Sequence, residues 1–179
     1  MLMTTIIAVT LITSIQARPI ETKLRYFVQD VNQDVFNRGF PVRNNWGAAQ
    51  SFKVNVSELS HAQIYLRKFG NPDFDLRVEL KENGINGTLL DVDIFSPGSI
   101  NSSWNWLSVD FNNISVNSNS TYFIVLSPGT GNNSYGYEWG YAFGNVYDDG
   151  SFWFTRDGGD LWRDLPTRYD FTFRTFGYI

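Results

Sequence analysis

Between Asn133 and Tyr141 the chain reads Asn-Ser-Tyr-Gly-Tyr-Glu-Trp-Gly-Tyr, with an aromatic ring at every second position from 135 to 141 and one carboxylate among them. Aromatic rings stack on the apolar faces of sugars, while carboxylates and amides bond the hydroxyls. Tyr135, Tyr137, Glu138, Trp139 and Tyr141 are therefore the candidate ligand-binding residues. In a strand, alternation puts the four rings on one face. That face is either a sugar platform or the inner side of a sandwich, and spacing alone leaves both open.

Acidic pairs are the second candidate chemistry. Asp148-Asp149-Gly150 and Asp73-Phe74-Asp75 supply hard oxygen donors of the kind calcium takes, although neither matches an EF-hand loop. A structural calcium ion held by Asp148, Asp149, Asp73 or Asp75 is the candidate cofactor. Turn-forming and solvated charge is the competing reading. Glycosidase chemistry needs two carboxylates about 5–10 Å apart. Glu79, Asp91, Asp93 and Glu138 are available for it, but a sequence does not supply the distance. Cysteine is absent and His61 is the only histidine, which removes thiolate zinc sites, iron–sulfur clusters, cysteine nucleophiles and multi-histidine metal sites. It leaves serine–histidine catalysis almost no room. The chain is expected not to be an enzyme.

Composition narrows the partners. Aromatics make up 17% of the 179 residues and charged residues only 18%, with a net charge of −4. Basic residues are scattered, so no stripe for nucleic acid is present. Residues 2–15 form an uncharged apolar run ending before Ala17 and Arg18, which reads as the core of a signal peptide spanning residues 1–17 despite the lack of a basic start. No second apolar span follows, so no transmembrane segment is expected in the mature chain. The Asn-x-Ser/Thr pattern occurs at Asn55, Asn86, Asn101, Asn113, Asn119 and Asn132. With 17 Asn and 27 Ser plus Thr, composition alone would give roughly 2 or 3 such triplets. The excess points to a secreted or cell-surface glycoprotein.

The elements that must carry these residues are strands. Short alternating segments recur between Gly, Pro, Asn and Asp breaks, the pattern of an all-β antiparallel sandwich. In Phe74–Lys81 the apolar residues Phe74, Leu76, Val78 and Leu80 alternate with charges. Leu107, Val109 and Phe111 repeat the pattern, and Thr121–Leu126 is apolar enough for a central strand. At the C-terminus Tyr169, Phe171 and Phe173 alternate with Asp170, Thr172 and Arg174, the latter expected to face water. Residues 18–45 read as an N-terminal extension, with an edge strand at Tyr26-Phe27-Val28 and a loop from Arg38 to Asn45. The sandwich proper is expected over residues 46–179.

The most specific local motif is Thr155-Arg156-Asp157-Gly158-Gly159-Asp160-Leu161-Trp162, an Asp box. Asp157 can accept the turn's own amides, the glycines can take positive φ, and Trp162 can fold back over the hairpin. The motif stabilises a hairpin and performs no chemistry. Its single copy argues against a sialidase propeller, which repeats it in successive blades.

The ordered set Ala49-Gln50-Ser51-Phe52, Ile64-Tyr65-Leu66, Gly70-Asn71-Pro72 running into Asp75–Leu80, Trp106-Leu107-Ser108-Val109, Thr121–Leu126, the Asp box and Asp170–Gly177 resembles the jelly-roll "choice-of-anchor" modules of exported archaeal and bacterial surface proteins. The likeness covers about residues 46–177. It implies a jelly-roll-like single domain and a cell-surface location, and it transfers no catalytic residues. The expected function is a secreted, glycosylated, non-catalytic module that binds carbohydrate or another cell-envelope component. The alternatives are a structural subunit of a surface layer or filament, self-associating through residues 18–45, and a glycosidase-like enzyme.

Overall fold

Alternation builds strands where it is cleanest, and the partner strands decide how much of each is covered. The structure is a computed structural model and describes residues 24–179. The expected signal segment, residues 1–17, lies outside the described residues. Among the described residues thirteen strands are formed: β1 (Phe27–Gln33), β2 (Arg38–Val42), β3 (Gly47–Phe52), β4 (Glu58–Phe69), β5 (Leu76–Glu82), β6 (Thr88–Phe95), β7 (Asn105–Ser115), β8 (Tyr122–Leu126), β9 (Gly136–Phe143), β10 (Phe152–Thr155), β11 (Arg163–Asp164), β12 (Tyr169–Phe171) and β13 (Phe173–Tyr178).

Two antiparallel sheets pack as a sandwich. The first runs β1-β13-β4-β9-β12, with β7 on the other side of β4 and β2 on β9; the second runs β11-β10-β3-β8-β5-β6. The chain crosses between them, β3 in one sheet, β4 in the other, β5 and β6 back, then β7, β8 and β9 alternating. The four-strand sets β1-β13-β4-β7 and β3-β8-β5-β6 give the order of a jelly roll.

The core fills the space between the sheets. Leu76, Val78 and Leu80 of β5, Val109 and Phe111 of β7 and every residue of β8 are buried, as the alternating and continuous patterns require. Phe74 falls just before β5 and packs edge-on against Tyr137 instead. Across the sandwich, Phe152 of β10 stacks on Phe171 of β12 at 4.2 Å, and Phe171 stacks on Trp139 of β9 at 4.2 Å.

Two expectations about the ends of the chain need correction. Arg38–Val42 is a strand, β2, paired with β9 from Arg38↔Tyr141 to Val42↔Tyr137, and not a loop. Gly39 and Pro41 disguise it in the sequence. Pro41 is tolerated because β2 pairs only with β9, so the missing N–H lies on an open edge. β1 is the expected edge strand, but it pairs along β13 of its own chain. The sandwich therefore begins at β1, not near residue 46.

The C-terminal strand also departs from expectation. Asp170 and Thr172 are as buried as Phe171 and Phe173. The reason is a fork: β4 and β9 pair at one end, through Leu66↔Trp139, and then part. β12 follows β9 and β13 follows β4, so one run of chain closes the wedge. Thr172, at the change of partner, donates its N–H to Gly140 O and accepts at its carbonyl from Tyr65 N and from Trp139 Nε1 (3.0 Å).

Candidate functional site

The rings of β9 do share a face, and it is the inner one. Tyr137 and Trp139 are fully buried, and Tyr141 packs half-buried against Phe152, Tyr169 and Phe171. Burial pushes the Tyr137 hydroxyl up to about 12, with the charges of Asp75 and Asp73 adding to it. Its OH is donated to Phe74 O. Tyr135 lies before the strand and donates its OH to Asp73 Oδ2 at 3.1 Å. The five residues therefore form no common exposed platform. Glu138 alone points outward, and it leads to the feature the sequence reading missed.

On the outer face of the first sheet lies a groove of about 560 Å³. Its floor comes from β2 and β9, where Gly39 pairs with Gly140. Neither has a side chain, so two rings, tilted 54° to each other, close directly onto the backbone. A Cβ on Gly39 would come within 2.8 Å of the Trp104 ring, and one on Gly140 within 2.8 Å of Phe36. Phe36 and Trp104 contact each other at 4.7 Å, and Tyr65 stacks on Trp104 at 5.5 Å. Pro41, Phe69 and Asn133 complete the walls, with Arg38, Arg43, Arg67 and Glu138 as the charged members.

The charges are not equivalent. Arg67 of β4 faces Glu138 of β9 in register and donates Nε to its Oε2 at 2.7 Å, while its guanidinium lies 4.9 Å from the Trp104 ring centre. Arg43 follows β2 in the tight turn to Trp46, closed by mutual backbone bonds of 3.2 and 2.8 Å. Its guanidinium sits 5.7 Å from the Phe69 ring and 5.9 Å from Trp46, and its Nε is shielded from solvent without a hydrogen-bond partner. Beyond Phe36 a smaller cleft of about 250 Å³ continues along the sheet, bounded by Tyr65, Trp106, Asp34 and Arg174. Arg174 covers the Trp106 ring at 4.1 Å and grips Asp34 with two nitrogens, at 2.7 and 2.8 Å. That grip holds the Asp34 carboxyl below its ordinary range.

The aspartate pairs do not assemble into a cation cage. Asp148 Oδ1 accepts from Asn145 Nδ2 and Asp73 Oδ2 from Tyr135, and among the described residues no three His, Cys, Asp or Glu side chains gather as metal ligands. Three of the four candidate glycosidase carboxylates lie away from the groove. Glu79 belongs to the second sheet, where Arg77 and Lys81 flank it, and Asp91 and Asp93 lie along β6, engaged with Asn112 and the Asp110 amide. Glu138 is the one carboxylate lining the groove, and Arg67 already holds it.

All six sequon asparagines (Asn55, Asn86, Asn101, Asn113, Asn119 and Asn132) are exposed, but so is every other Asn of the chain, so exposure does not single them out. Asn55 also donates Nδ2 to Asp30 at 3.3 Å. No helix among the described residues is long and apolar enough to cross a membrane.

The Asp box has the geometry its residues imply. Asp157 Oδ1 accepts from Thr155 Oγ1 at 2.6 Å and from Leu161 N at 3.0 Å, with Gly158 and Gly159 at φ 82° and 101°. Trp162 folds onto the outer face of the second sheet against Ala49, Phe123, Val125 and Trp153. Comparison with protein-family models and with curated proteins finds no match to this chain.

Proposed function

We propose that this chain is a secreted, glycosylated, non-catalytic jelly-roll module that binds carbohydrate through the outer groove of its first sheet. The observation that carries this reading is the pair of rings laid on the Gly39–Gly140 floor, Trp104 and Phe36, with Asn133, Arg67 and Glu138 beside them. Flat aromatic surface flanked by a few fixed polar groups is what sugar rings need. The single ion-paired carboxylate of the groove suits retention of a glycan better than its hydrolysis, which takes two carboxylates. The six sequons and the apolar N-terminal run support export.

The test is calorimetric titration of a polysaccharide panel. Trp104→Ala should weaken binding about tenfold or more, since loss of one stacking ring is worth on the order of 1–3 kcal/mol. The melting temperature should barely change. Equal affinity in wild type and variant for every glycan bound would remove the groove from the function.

A further inference from the structure

We infer that the saccharide taken by this groove is anionic, with a uronate-type carboxylate seated on Arg43; the inference rests on the binding reading above. Five ion pairs among the described residues engage Arg25, Arg67, Arg77, Lys81 and Arg174, and Arg43 belongs to none of them. A protein with net charge −4 thus turns three arginines and one carboxylate into one groove, and the carboxylate is committed to Arg67. The positive excess is local to the site.

Arg43 is also held in place. Its Cα lies in the closed turn to Trp46, and the close approach of Gly136, where a Cβ would come within 2.7 Å of the Arg43 Cβ, fixes the start of β9 against it. The Phe69 and Trp46 rings flank the guanidinium. A shielded Nε without an acceptor is a donor that folding has left unmet. Nε itself is closed to solvent, so a carboxylate entering from the groove meets the two Nη groups together, because that end of the planar guanidinium fork matches its two oxygens. Trp104 and Phe36 would receive the sugar ring that bears it.

The experiment uses the full chain and matched polymers: polygalacturonate and alginate as acidic probes, fully methyl-esterified pectin and a neutral β-glucan as uncharged ones, and dextran sulfate as an anion without carboxylates. The acidic uronates should bind at least about tenfold tighter than the esterified polymer, and their affinity should fall with added salt. Arg43→Gln should erase that preference, bringing the acidic uronates down to the affinity of the esterified polymer. Arg43→Lys, which keeps the charge but loses the fork, should recover only part of it, and circular dichroism of each variant verifies the fold.

Equal binding of esterified and free polymers, unchanged in Arg43→Gln, would overturn the anionic inference and leave the sugar groove intact. Dextran sulfate binding as tightly as the uronates would overturn the carboxylate assignment. If no polymer binds, both this inference and the groove reading fall.

Discussion

At the scale of single residues, His61 shows how position sets chemistry. It lies on β4 beside the rings of Phe176, 4.5 Å away, and Phe27, 5.9 Å away, with Asp110 opposite in register. Burial lowers its pKa below the ordinary 6.5, and Asp110 only partly offsets this. The unfolded chain therefore takes up a proton near pH 6.5 that the folded chain refuses until lower pH. Stability should fall as pH drops from about 7 through the ordinary histidine range, and His61→Gln should flatten that part of the curve. Denaturant midpoints measured between pH 5 and 8 check it; an unchanged slope in the variant would assign the pH dependence elsewhere. Much at this scale was legible in advance. The Asp box needed only Thr155, Asp157 and two glycines in sequence, because its side-chain bonds are local, although Gly158 N also donates to the distant Asn45 O at 2.9 Å.

At the scale of elements, a buried carboxylate joins a loop to both sheets. Asp170 of β12 accepts the amides of Val146 and Tyr147 at Oδ2, at 2.9 and 3.0 Å, and Gln50 Nε2 of β3 at Oδ1. Gln50 Oε1 in turn accepts from Phe171 N at 2.7 Å. Desolvation raises the Asp170 pKa, which the two amide bonds oppose. An asparagine there must turn its NH₂ either to the two amides or to Gln50, and both are donors. Asp170→Asn should lower stability by about 1–3 kcal/mol, the usual cost of an unmet buried group, less whatever relief comes from removing the charge. The Val146 and Tyr147 amides should also lose protection in hydrogen exchange. This linkage was hidden in the sequence. Alternation sends Asp170 to water, and only the fold brings the amides of Val146 and Tyr147 and the Gln50 side chain of the other sheet against it.

At the scale of the whole molecule, the two sheets are coupled through a chain of rings. Phe171 stacks on Phe152 from one sheet and on Trp139 from its own, and Phe40 meets it edge-on at 5.9 Å. Phe171→Ala should cost about 3–5 kcal/mol, the range for truncating a buried phenyl. Small domains hold only about 5–15 kcal/mol in all, so the urea midpoint should fall by a large fraction. Mutation of half-buried Trp104, outside this stack, should leave the midpoint nearly unchanged. The contrast separates rings that hold the sheets together from rings available to a ligand.

The sequence by itself determined the strands, the sandwich class and the hairpin, because these follow from period-2 alternation, turn residues and contacts a few residues apart. It also determined that Tyr137, Trp139 and Tyr141 share a face. Which face that is, the structure decided, with Glu138 meeting Arg67 of β4 on the outer side while the rings turn inward. Tertiary structure alone decided the rest. β2 becomes visible only once β9 offers Gly39 and Pro41 an edge to pair with. The groove joins Phe36, Gly39, Arg43, Arg67, Trp104, Asn133 and Glu138 from four separate stretches of chain. No local pattern marks such a set, because what unites its members is the outer surface of one sheet, and that surface exists only after the strands have found their order.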